Sequence, residues 1–95
     1  MPRTEQEIIA ELKQIPNVGP ATARDLRKLG IATLDDLHGR DPDQLYDELC
    51  ARDGVRYDPC VRDVFAAVVA IANGEPSRPW WAFTPLRKAR DARTD

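Results

Sequence analysis

With 95 residues, 42% of them apolar, the chain can build one domain around one modest core, and is too short for an elaborate catalytic cleft. Fourteen basic residues against sixteen acidic ones leave a net charge of −2, which argues against a strong, indiscriminate binder of polyanions. No run approaches the roughly 20 apolar residues that a membrane span needs.

Thr4, with Glu7 three residues on, reads as a capping-box start of a first helix. Ile8, Ile9, Leu12 and Ile15 recur at helical spacing, and Pro16 stops the pattern. The stretch Ile15-Pro16-Asn17-Val18-Gly19-Pro20-Ala21-Thr22-Ala23 is then too short and too apolar for an ordinary surface loop. Asn17 and Gly19 both tolerate positive φ, and Pro20 suits the first position of a second helix, where a missing N–H costs nothing. That helix is expected over about residues 20–29, with Ala23, Leu26 and Leu29 inward and Gly30 as its stop. Its first-turn amides would point outward at the positive end of a helix dipole, a ready place for a phosphate oxygen. Arg24 and Arg27 follow on the same helix.

Thr33 caps a short helix carrying Asp36 in its first turn and Leu34 and Leu37 inward, and Gly39 ends it. Asp41-Pro42-Asp43-Gln44 starts the next helix, whose buried set is Leu45, Tyr46 and Leu49; Asp53-Gly54 turns the chain. Asp58-Pro59 opens the last long helix. Val61, Val64, Phe65, Val68, Ile71 and Ala72 share one face, and Ala66, Ala67, Val69 and Ala70 leave little polar surface elsewhere, so this helix belongs at the centre of the domain. Asn73-Gly74 caps it.

Beyond Glu75, Pro76, Pro79 and Pro85 oppose regular structure. Trp80, Trp81 and Phe83 are expected to lie extended over the helices and complete the core; a base-stacking platform and a protein-binding patch are the alternatives. Thr84-Pro85 starts a short basic terminal helix. Residues 77–93 hold Arg78, Arg87, Lys88, Arg90 and Arg93 against Asp91, whereas residues 35–58 are mostly acidic.

No strand pattern emerges. The expected fold is all-α: a compact bundle of about five helices over residues 4–74, and a Pro/Trp-rich arm with a short basic tail over residues 75–95. Met1-Pro2-Arg3-Thr4 runs straight into a helical pattern without an apolar signal stretch, which points to the cytoplasm. Cys50 and Cys60 lack a second ligand at metal spacing and read as small buried hydrophobes. No metal, cofactor or catalytic residue is expected. His38 is a lone histidine beside Gly39, the adjacent Asp35 and Asp36 point apart on a helix, and Asp58 and Asp63 serve as a cap and a surface charge. Cys60, in the first turn of a helix, could carry a lowered pKa.

Leu12-Lys13-Gln14-Ile15-Pro16-Asn17-Val18-Gly19-Pro20-Ala21-Thr22-Ala23-Arg24 resembles the helix-hairpin-helix consensus, with Asn17 where glycine is usual. The wider chain resembles a bacterial group, the small pathogenicity-locus proteins, often labelled mitomycin-resistance proteins. Ile15-Pro16-Asn17-Val18-Gly19-Pro20, Leu29-Gly30-Ile31, Asp35-Asp36-Leu37, Asp41-Pro42, Leu45-Tyr46, Trp80-Trp81 and above all Asp58-Pro59-Cys60-Val61-Arg62-Asp63-Val64-Phe65 carry that likeness, which spans residues 5 to about 88. The C-terminal domains of competence regulators share the hairpin more loosely. The resemblance implies a helix-hairpin-helix or SAM-domain-like fold.

The expected function is sequence-independent DNA binding through backbone phosphate, weak because one hairpin offers few ionic contacts. Asn17, Val18, Gly19, Ala21, Thr22, Arg24, Arg27 and Lys28 form the expected phosphate site, with Lys13 adding longer-range attraction. The alternative is a protein-interaction domain, binding a partner or a second copy, in which the hairpin is structural and Val18 plugs the core.

Overall fold

The computed structural model describes residues 3–93, with side chains through residue 89. Its elements in order are α1 (Glu5–Leu12), α2 (Pro20–Lys28), a 3-10 turn (Leu34–Leu37), α3 (Pro42–Asp53), α4 (Cys60–Ala72), a second 3-10 turn (Trp80–Phe83) and α5 (Thr84–Arg93). The fold is all-α, with no strand among the described residues. No helix there is long and apolar enough to cross a membrane.

Local chemistry sets most boundaries. Thr4 accepts a hydrogen bond from the Glu7 amide at 3.1 Å and starts α1. Asp41 accepts from the Asp43 amide at 2.9 Å, Pro42 takes the first position of α3, and Gly54 closes that helix at φ 67°. Leu45, Tyr46 and Leu49 are buried, as their spacing predicts. With Leu12, Ala23, Leu26, Ile31, Leu37, Phe65 and Val68 they form one continuous core.

The short helix capped by Thr33 is a 3-10 turn. Thr33 and Asp36 cap each other reciprocally, the Asp36 carboxylate taking the amides of Ala32 at 2.9 Å and Thr33 at 3.1 Å. These two amides hold the Asp36 carboxyl below its ordinary value of 3.8. Glu5, Asp53 and Asp58 are lowered too, by Arg27, by Tyr57 with Lys28, and by the Cys60 amide respectively. A lowered folded-state pKa contributes stability that is present above the unfolded value and lost as pH falls through the folded one. Melting temperature should therefore fall as pH drops below 3.8, and Asp36→Asn should flatten that dependence. An equally steep decline in the variant would show that Asp36 does not contribute.

Helix α4 is central, as its composition predicts, but its buried set differs from the predicted face. Asp63, Phe65, Ala67, Val68, Val69 and Ala70 are buried, whereas Val61, Val64, Ile71 and Ala72 are half-buried. The cause is tertiary: α3 and the first 3-10 turn pack against α4, and so do the second 3-10 turn and α5. Asp63 is thus no surface charge. It is 1% exposed, accepts from the Thr84 hydroxyl at 2.8 Å, and pairs with Arg87 Nε at 2.9 Å.

Of the expected extended arm, only residues 75–79 lack regular structure before helical turns resume. Trp80 and Phe83 are half-buried, because three residues per turn stack positions i and i+3 of a 3-10 turn on one side. Trp81 falls between them and is 61% exposed, its ring edge-on to Trp80 at 5.8 Å. The three aromatics therefore do not complete the core together. The side chains of Arg90, Asp91 and Arg93, and residues 94–95, lie outside the described residues.

Candidate nucleic-acid interface

The α1–α2 connection is held from inside and from outside. Val18 points inward at 8% exposure, and its amide donates to the Ile15 carbonyl at 3.1 Å. Neither its side chain nor its N–H is available to a ligand. Asn17 adopts φ 75°, the one positive φ outside glycine among the described residues. Asparagine tolerates this conformation and brings an amide that glycine lacks. Its Nδ2 donates to the Arg78 carbonyl at 2.8 Å, and its Oδ1 accepts from the Trp80 amide at 2.9 Å. Asn17 is therefore a hook between the turn and the C-terminal segment, and its side chain is occupied.

Gly19 precedes α2 with no side-chain cap on that helix, and Pro20 holds the first position. The amides of Ala21 and Thr22 thus lack an intrahelical acceptor and stand at the positive end of α2. Gly19 has an ordinary φ of −97°, and a Cβ built there meets nothing within 4 Å, so the space before the turn is open. Arg24 and Lys13 are exposed and form no ion pair among the described residues. Arg27 and Lys28 are placed differently. Arg27 grips the Glu5 carboxylate at 2.6 and 3.0 Å and the Ile31 carbonyl at 3.0 Å, tying α2 to α1. Lys28 pairs with Asp53 at 3.0 Å and with Asp25 at 3.8 Å.

Of the expected set, Gly19, Ala21, Thr22 and Arg24 are not taken up by side-chain pairing among the described residues, and Lys13 is exposed. The Asn17 hook adds a residue that sequence reasoning missed: the carbonyl of Arg78 lies against the turn, 61 positions away along the chain. An asparagine in place of the usual glycine was the sole signal.

A cavity of about 270 Å³ opens beside the first turn of α2. Ala21, Thr22 and Asp25 line one side of it. Val61, Val64 and Phe65 of α4 and Trp80 of the second 3-10 turn line it too. Desolvation raises the Asp25 carboxyl above 3.8, against the pull of Lys28. Cys60 also borders this cavity, half-buried and not in a disulfide. Its thiol is pushed up rather than lowered, because the Asp58 carboxylate takes its hydrogen bond and repels a thiolate. A helix N-terminus alone does not overcome an adjacent carboxylate. His38 is exposed, and the described residues hold no group of three or more His, Cys, Asp or Glu placed for a metal ion.

The chain matches the family model described as "Pathogenicity locus", Cdd1, over residues 5–89. It is 42% identical over 79 residues to the mitomycin resistance protein McrB of Streptomyces lavendulae, covering 83% of this chain and 75% of that protein. No solved structure matches it.

Proposed function

The chain belongs to the pathogenicity locus family, and we propose that it is a sequence-independent DNA-binding module that holds backbone phosphate on a helix-hairpin-helix turn. The observation that carries this reading is the uncapped start of α2, where the Ala21 and Thr22 amides lack an intrahelical acceptor, on the helix that carries Arg24, exposed and without an ion pair among the described residues. Internal pairing removes Arg27 and Lys28 from the grip, so few phosphates are engaged and affinity is low. By analogy with the name of its relative, the module acts in resistance to mitomycin.

The test is a salt titration of binding to duplex DNA. Arg24→Glu should lower the slope of log affinity against log salt by about 1, the share of one phosphate contact. Adding Gly19→Ala places a methyl in the open space without touching the fold, and the double variant should lose DNA retention at unchanged helicity. Unchanged retention in the double variant sinks the phosphate grip.

A second reading, a protein-interaction domain, draws on Trp81 and Leu86, exposed by 61% and 65% on the C-terminal segment. A concentration-dependent oligomer indifferent to DNA would favour it.

A further inference from the structure

Resting on the phosphate-grip reading, we infer that the cavity beside α2 receives one unpaired nucleobase, so that the domain prefers single-stranded over duplex DNA. Ala21 and Thr22 belong to both places: their amides are free of intrahelical acceptors at the start of α2, and both residues line the cavity. A phosphate on those amides therefore has its own base within reach of the Trp80-lined space.

The cavity's size and lining fit such an occupant. At about 270 Å³ it lies just below the roughly 300–1,000 Å³ of pockets for drug-sized ligands, suiting one flat ring system. Half-buried Trp80 offers an aromatic lining, and half-buried Val61 and Val64 offer aliphatic ones. Thr22 and Asp25 in its lining carry a hydroxyl and a carboxyl, groups able to hydrogen-bond a base edge. Trp80 is fixed there by the Asn17 hook, since its backbone amide bonds Asn17 Oδ1 at 2.9 Å, so the wall is preorganised. A base inside a duplex is paired and stacked, and entering the cavity would require extruding it. An unpaired strand has no such barrier, and aromatic stacking tolerates any base. Sequence independence is thereby preserved.

The experiment compares three probes on the unmodified protein: a short oligothymidylate, an abasic strand of the same length, and a duplex. The thymine strand should bind on the order of tenfold more tightly than the abasic strand, the share of about one stacked base. Trp80 and Trp81 are the two tryptophans of the chain, so Trp81→Phe leaves Trp80 as the reporter. Its fluorescence should be quenched by the thymine strand and not by the abasic one. Val64→Phe, which fills the cavity, should bring the thymine strand down to the abasic affinity. Equal affinity for thymine and abasic strands, with no quenching of Trp80, overturns the cavity proposal and leaves the phosphate grip standing. Failure of all three probes to bind overturns both. Quenching by the thymine strand that survives Arg24→Glu with Gly19→Ala overturns the phosphate grip and leaves base capture.

Discussion

Arg87→Met should destabilise the domain by about 3–5 kcal/mol, because it strands the Asp63 carboxylate in the interior without its cation. The two side chains are 12% and 2% exposed, and their contact is 2.9 Å, so solvent screens this pair little. The Thr84 hydroxyl would remain on Asp63 at 2.8 Å, but one neutral donor does not replace a charge. A small domain has only about 5–15 kcal/mol of net stability, so the loss would be a large fraction of the total. Urea denaturation would register it as a lower midpoint. The double variant Asp63→Leu with Arg87→Met removes both charges and should recover much of the loss, since buried ion pairs often exchange for apolar pairs at little net cost. A single variant that melts like the parent would mean that Asp63 finds water or another donor, and that α5 is not docked through it.

Asn17→Ala should cost roughly 2–5 kcal/mol through two separable effects. Two hydrogen bonds to the backbone at Arg78 and Trp80 disappear, at about 0.5–1.5 kcal/mol each. An alanine forced to φ 75° adds roughly 1–2 kcal/mol of backbone strain. Asn17→Gly separates them: it removes the hook while keeping easy access to positive φ, and should cost only the hydrogen-bond share. Hydrogen exchange at the Trp80 amide is the direct readout, and it should accelerate in both variants. If the glycine variant leaves that amide fully protected, the C-terminal segment is held on the turn by packing alone.

These two sites divide what could be read along the chain from what could not. Helix starts at Thr4, Pro20, Thr33 and Asp41 were legible because capping and first-turn chemistry involve residues two to four apart. Leu45, Tyr46 and Leu49 were legible because the helical period alone puts them on one face. Asp63 was not. It reads as an ordinary surface carboxylate in the first turn of α4 until Thr84 and Arg87, more than twenty residues on, are brought over it. Trp81 was misplaced for a related reason: composition says that an aromatic cluster wants burial, but not which ring a 3-10 turn will leave outside.

The proposed phosphate site shows the same division. Its location at the α1–α2 turn follows from Gly19-Pro20, but its membership does not. Arg27 and Lys28 look as available as Arg24 in the sequence, and only the arrival of Glu5 and Asp53 neutralises them. Cys60 likewise sits where a helix dipole should lower its pKa, until the nearby Asp58 carboxylate reverses the sign.

By itself, then, the sequence determined the all-α class, the helix starts and the tight Asn17-Val18-Gly19-Pro20 turn, because each depends on local backbone preference and a short apolar period. Tertiary structure decided which charges around that turn are paired, that Asn17 hooks the backbone at Arg78 and Trp80, and that a cavity lies between α2 and α4. Those features join residues up to 63 positions apart. They depend on how the helices pack, and local preference carries no information about partners so distant.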